Sequence, residues 1–315
     1  MNSNLPLFIA GHRGMVGSAL MREAARRGIR NILTAARDEL DLTRQAEVEQ
    51  WMLRHRPGAV IVAAAKVGGI EANRSCMADF TGENLSIALN LIEASHKAGV
   101  QRLLFLGSSC IYPRNSPQPI PETSLLQGEL EPTNEGYALA KIAGLKLCQY
   151  YRRQHGRLYH SIMPTNLYGP GDYYHPERSH VIPGMIQRFY RAVQDQSPSV
   201  AIWGSGRPRR EFLHVDDLSS ACFHLLELED PPDWVNAGTG TDLSIGELAT
   251  LVAETAGYRG EIATDPSRPD GMMQKLLDVS LMHSLGWKAK IGLREGLLDT
   301  WQCYLKETAD GALRT

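Results

Sequence analysis

The chain lacks any long hydrophobic run. The longest, AVIVAAA at 59–65, has seven residues, whereas a membrane-spanning helix needs about 20. It lacks a dominant charge: 33 basic against 35 acidic residues leave a net of −2, so no bulk field draws it to nucleic acid. It lacks a CxxC pair among its five cysteines, Cys76, Cys110, Cys148, Cys222 and Cys303. That argues against a zinc knuckle or a redox couple, and the odd number points to a reducing compartment. The opening MNSNLPLFIAGHRG has no basic segment followed by a cleavable apolar stretch, so no signal peptide is expected and a cytoplasmic location is. His175 and His180 have no spaced carboxylate or cysteine partner, so no metal site is expected. Repeats and low-complexity tracts are missing too, and 43 % hydrophobic with 22 % charged residues excludes disorder.

What is present is alternation. A length of 315 residues suggests two domains. Short apolar runs at 7–10 (LFIA), 31–35, 59–64, 102–106 (RLLFL) and 161–164 read as strands. Segments at 18–27, 84–98 and 137–154 carry apolar residues at helical spacing, the first two closed by Gly28 and Gly99. Strand–helix alternation is the sign of βαβ units and a parallel sheet. Beyond 164, Pro and Gly become frequent (YGPGD, IPG, WGSGRPRR), which predicts irregular loops with only short helices. The expected fold class is therefore α/β: a Rossmann-type doubly wound parallel sheet with a smaller, loop-rich C-terminal substrate domain. The first domain is expected at 1–165 with a returning segment near 211–240, the second at 166–210 and 241–315.

The first strand runs into Gly11-His12-Arg13-Gly14-Met15-Val16-Gly17, a GxxGxxG spacing at a strand-to-helix turn. Such a turn must be tight and must approach a pyrophosphate closely, with helix N-terminal N–H groups holding the phosphate oxygens. An NAD site usually sets an acid about 20 residues later against the ribose 2′-hydroxyl. Here that position is Arg37. A guanidinium can bind a 2′-phosphate bidentately where a carboxylate would repel it, and Arg13 could add a second cation. NADP is expected rather than NAD.

Tyr137-Ala-Leu-Ala-Lys141 has YxxxK spacing, which sets both side chains on one helix face. A phenol of pKa about 10 exchanges protons poorly at neutral pH; a lysine one turn away would stabilise the phenolate and also bond the nicotinamide ribose. About 30 residues upstream, Gly107-Ser108-Ser109-Cys110 ends the fourth strand, at the sheet edge where open α/β folds bind ligands. Serine, tyrosine and lysine around a nicotinamide form a hydride-transfer constellation.

With these motifs the chain resembles the extended short-chain dehydrogenase/reductases, and within them the GDP-L-fucose synthase family. The likeness runs through AGHRGMVGSA (10–19), AAAKVGGI (63–70), LFLGSSCIYP (104–113), LEPTNEGYALAKIAG (130–144), MPTNLYGPGD (163–172), SHVIPG (179–184), WGSG (203–206), REFLHVDD (210–217) and LLDV (276–279). GSSCIYP and SHVIP are the discriminating strings. The resemblance implies a bifunctional, NADPH-dependent 3,5-epimerase/4-reductase acting on a GDP-4-keto-6-deoxy sugar, and a homodimer built through the helices at 84–98 and 137–154. It implies catalysis by Ser108, Tyr137 and Lys141, with Cys110 and His180 as the epimerising pair. Cofactor contacts fall on residues 11–17, Arg37, Leu106, Gly107, Ser108, Ser109, Lys141, Pro164, Thr165, Asn166, Leu167 and His180. Substrate contacts fall on Arg188, Trp203, Arg210 and Asp270; read from residue type, the adjacent cations Arg209 and Arg210 could hold the sugar-nucleotide pyrophosphate. One departure is Gly136, where proline is common before the tyrosine, which could loosen the helix start.

The residue types suit that chemistry. A ketone at C4″ acidifies C3″ and C5″, and inversion requires a base on one face and a proton donor on the other. A cysteine thiol, of pKa about 8.5 and lower beside positive charge, suits the base. An imidazole suits the acid. Neighbouring activities fit less well. Sugar-nucleotide 4,6-dehydratases place an Asp-Glu pair where Ser109 and Cys110 stand. A 4-epimerase would keep NAD bound and would need no cysteine. A catalytically silent NADP-binding sensor would not require the full set of Ser108, Tyr137 and Lys141.

Overall fold

The structure is a computed structural model describing residues 6–176, 178–267 and 270–315. The first strand, β1 (Leu7–Ala10), is buried at all four positions. It is followed by α1 (Met15–Arg26), β2 (Ile32–Leu33), α2 (Gln45–His55) and β3 (Ala59–Val62). Then come α3 (Ile70–Ser75), α4 (Met77–Lys97), β4 (Arg102–Leu106), α5 (Glu135–His155) and β5 (Leu158–Pro164). These strands pair in parallel in the order β2-β1-β3-β4-β5. The chain leaves β1 towards one edge of the sheet and returns to its other side, so a crevice opens at the C-terminal end of β1. Helices α1 and the later α7 (Val215–Glu227) cover one face through Leu20, Leu218 and Phe223. Helices α2, α4 and α5 cover the other through Met52, Leu91, Ile92 and Cys148. The sheet is doubly wound.

All five strands expected from the sequence are present, although β2 shrinks to two residues and β5 begins three residues before the expected start. Helix α4 starts at Met77, because Phe80 and Asn84 are buried against β3 and its loop. Helix α2 was not anticipated: only Val48 and Met52 of its residues are buried, too sparse a pattern to stand out. Gly136 does not loosen α5, which begins at Glu135. A Cβ there would lie 2.7 Å from Met77 Cγ, so the glycine permits close approach to α4.

The second half is more regular than predicted. After β5 the chain forms β6 (Asn166–Tyr168), α6 (Val181–Gln194), β7 (Ser199–Trp203) and β8 (Arg209–His214). Beyond α7 it adds β9 (Trp234–Ala237), β10 (Asp242–Ser244), α8 (Ile245–Ala256), β11 (Glu261–Asp265) and β12 (Gln274–Lys275). It ends in α9 (Ser280–Ser284) and α10 (Leu293–Ala309). The Pro and Gly that suggested loops sit mostly between elements, while α6 buries Ile182, Met185, Ile186 and Phe189 on one stripe. Strand β9 returns to the large sheet beside β5. Strand β8 organises a small sheet with β10, β12 and β6, and β7 pairs with β11.

Candidate active site

The glycine loop is a cradle that excludes side chains. Gly11 has φ +87°, and a Cβ there would sit 2.7 Å from the Ala64 backbone at the end of β3. At Gly17 a Cβ would lie 2.0 Å from the Gly11 carbonyl oxygen. Gly14 N–H closes the turn on Gly11 O at 3.0 Å, and α1 starts at Met15 with no side-chain cap. Unsatisfied N–H groups of the first helical turn therefore face the crevice, and buried His12 Nδ1 has no partner there. The cleft, about 520 Å³, is lined by Gly11, His12, Arg13 and Gly14 and by 35–38. Arg37 lies at its mouth, 80 % exposed, 3.8 Å from Glu83. Glu83 also takes a hydrogen bond from Lys66. These residues fit a dinucleotide carrying a 2′-phosphate.

The groups expected to be catalytic gather at the end of β4. Ser108 caps the short turn that follows, accepting from Cys110 N–H at 3.2 Å. Tyr137, on the first turn of α5, lies close enough to Ser108 for the hydroxyl to favour its ionised form. Lys141, one turn on, is buried; its Nζ donates to Leu106 O at 2.8 Å and lies 5.7 Å from the Tyr137 ring. The expected lowering of the phenol pKa is not what the cleft produces. Burial raises Tyr137, the Cys110 charge adds to this, and Ser108 offsets part of it. Burial pushes Lys141 down to about 7. Tyr137 is thus held in its protonated form.

Cys110 receives two hydrogen bonds that the sequence did not announce. Asn134 Nδ2 donates to Sγ at 3.3 Å and Lys275 Nζ at 3.4 Å. Neither residue sits in a motif with chemistry of its own, and only the fold brings them to the thiol. His180 enters from a separate element, at the N-cap position of α6, where its side chain makes no capping hydrogen bond. The chain just before it is pinned to the AAAKVGGI loop by Gly69 N–H donating to Arg178 O at 2.9 Å. His180 faces solvent, yet protein packed around it holds its pKa below the ordinary imidazole value. Thr165 and Asn166 carry the chain from the large to the small sheet, each donating to Glu211 O.

The expected substrate contacts form a second cluster. Arg188 on α6 donates to Ala201 O at 2.7 Å and lies 5.6 Å from the Trp203 ring centroid. Asp270 accepts from Ser205 N–H and Oγ at 2.8 and 2.7 Å, which fixes the turn after Trp203. Arg210 donates to the carbonyls of Arg209 and Met272, and its charge reaches Cys110, so it links the two clusters. Arg209 is paired with Asp242 at 2.8 Å and with Glu247 at 3.5 Å. Among the described residues no group of three or more His, Cys, Asp or Glu could hold a metal, and no helix is long and apolar enough to cross a membrane.

Comparison with known proteins agrees with this geometry. The NAD dependent epimerase/dehydratase family matches residues 7–238. GDP-L-fucose synthase 1 of Arabidopsis thaliana is 52 % identical over 304 residues, 96 % of this chain and 94 % of that one. GDP-L-fucose synthase of Escherichia coli (strain K12) is 50 % identical over 309 residues, 95 % of this chain and 96 % of that one. Among solved structures, a GDP-mannoheptose C4 reductase from Campylobacter jejuni with NADP bound superposes with a TM-score of 0.89. It is 35 % identical and covers 97 % of this chain and 99 % of its own.

Proposed function

Because the chain belongs to the NAD dependent epimerase/dehydratase family, and within it to the GDP-L-fucose synthases, we propose that one cleft performs both halves of that synthase's chemistry. The reaction is the NADPH-dependent 3,5-epimerisation and 4-reduction of GDP-4-keto-6-deoxy-D-mannose to GDP-L-fucose. The convergence of Ser108, Cys110, Tyr137 and Lys141 on the sheet edge that also carries the glycine cradle supports this reading.

Residues 11–17 hold the dinucleotide pyrophosphate and Arg37 its 2′-phosphate, with Arg13 beside it. Leu106, Gly107, Ser109, Lys141, His180 and 164–167 border the nicotinamide half. Bound NADPH supplies the hydride for C4″. Cys110 removes a proton from carbon on one face of the ketone, and His180 returns one from the other. Ser108 and Tyr137 hydrogen-bond the C4″ oxygen, which stabilises the enolate as an oxyanion hole does. At the reduction step Tyr137 gives that oxygen its proton. Arg188, Trp203, Arg210 and Asp270 bind the GDP-sugar. In this division, 1–165 with the segment near 211–240 holds the cofactor, and 166–210 with 241–315 holds the substrate.

The packed pair α4 and α5 exposes Leu85, Leu89, Leu139 and Tyr150. A second copy covering them would complete a four-helix bundle, so the working unit is a homodimer. Five free cysteines suit a reducing, cytoplasmic setting. Neither nucleic acid nor membrane has a role in the reaction. The test is incubation with NADPH and GDP-4-keto-6-deoxy-D-mannose in deuterium oxide. Loss of nicotinamide absorbance with deuterium at C3″ and C5″ of an L-sugar is expected; reduction without inversion would leave only a C4 reductase.

A further inference from the structure

Lys275 has no part in the mechanism above, yet the small sheet aims it at the thiol. The register of β12 on β8 sets it beside Arg210. The next two residues fix the strand: Leu276 N–H donates to Gln118 Oε1, and Leu277 N–H to the buried carboxylate of Glu211. From this anchored position Lys275 Nζ donates to Cys110 Sγ at 3.4 Å. Asn134, at the N-terminus of α5, brings a second donor to the same sulfur at 3.3 Å, and its own Oδ1 is buried without a partner. An ammonium has no lone pair, so the sulfur must accept. Two donors converging on one sulfur suit a thiolate far better than a thiol, which is a weak acceptor.

The other groups facing Cys110 do not duplicate this arrangement. Arg210 on β8 reaches it by charge alone while its Nη1 is engaged by the carbonyls of Arg209 and Met272, and Glu131 draws on the same guanidinium. Tyr137 on α5 is disfavoured from ionising by the cysteine charge. Ser108 accepts from the Cys110 backbone.

We propose that Lys275 and Asn134 form a two-donor cradle that holds the Cys110 sulfur as a thiolate, making Lys275 a positioning residue for proton abstraction at carbon. The catalytic part of this rests on the reading of Cys110 as the base. The test uses the full-length protein without substrate. Iodoacetamide labelling of Cys110 is followed by peptide mass spectrometry across pH 5.5–9.5, which separates it from exposed Cys76. The wild-type labelling midpoint is the reference for the variants. Lys275→Met should raise it by about one pH unit or more and slow labelling at pH 7 about tenfold, and Lys275→Arg should restore most of the loss. Asn134→Asp keeps a residue suited to the N-cap position but turns a donor into a carboxylate, so its midpoint should also rise. In substrate turnover, Lys275→Met should lower deuterium exchange at C3″ and C5″ at least about tenfold more than C4″ reduction. Unchanged midpoints in Lys275→Met and Asn134→Asp overturn the cradle and leave the base assignment standing. Undiminished exchange in Cys110→Ser removes the base assignment instead, whatever the midpoints show.

Discussion

The edge of the large sheet and the small sheet around β8 hold their functional groups by different means. On the large sheet the groups lie in three short windows, 11–17, 106–110 and 137–141. They are held mainly by local bonds, such as Gly14 N–H on Gly11 O and Cys110 N–H on Ser108 Oγ. On the small sheet and its surroundings, the expected substrate contacts Arg188, Trp203, Arg210 and Asp270 come from widely separated segments. Strand register and side-chain bonds to distant carbonyls hold them, as Arg210 does on Met272 O. The first arrangement suits groups whose geometry must match a transition state. The second suits recognition of a ligand by several independent contacts. Variants on the two sides should therefore fail differently.

Tyr137→Phe carries the largest expected effect. The proton donor is lost while the cofactor cradle stays intact, so kcat for NADPH oxidation should fall by about 10³-fold or more, with NADPH affinity by fluorescence titration within about twofold. Arg37→Asp should weaken NADPH by about 10–150-fold, the worth of about 1.5–3 kcal/mol for a contact to a charged group. NADH should change far less, and equal losses for both cofactors would show that Arg37 does not read the 2′-phosphate. On the other side, Arg188→Ala should raise KM for the GDP-sugar by about tenfold, the loss of one charge-assisted contact. Its kcat should stay within about threefold; a drop in kcat like that of Tyr137→Phe would break the division between the two regions. The smallest effect is on pH. Burial holds Lys141 at about 7, so its ammonium is present below that pH and is lost as pH rises through it. NADPH affinity should accordingly decline by about threefold to tenfold between pH 6 and 8, and Lys141→Met should flatten that dependence in the same titration.

Much of the first region could be read from residues in order. Strand β1 is four apolar residues followed by glycine, and no other local structure satisfies both a buried strand and a turn free of side chains. Tyr137 and Lys141 share a face because helical geometry requires it, whichever protein surrounds them. The second half was misjudged for an equally physical reason. Its Pro and Gly mark turns, but α6 and α8 between them bury apolar stripes against a core that has no local signature. Arg209 and Arg210 are adjacent and alike in sequence. Alternation along β8 sends one to Asp242 and the other towards Cys110.

The sequence alone determined the strand–helix alternation, the dinucleotide loop, the arginine in the loop after β2 and the serine, tyrosine and lysine. Each depends on backbone conformation or on spacings within one or two turns. Tertiary structure alone decided that Tyr137 is raised rather than lowered, because burial depends on what packs around a group and not on its neighbours in the chain. It alone brought Lys275 and Asn134, 141 positions apart in sequence, onto one sulfur. Sheet register and a helix terminus created that meeting, and neither leaves a trace in the residues that flank Cys110.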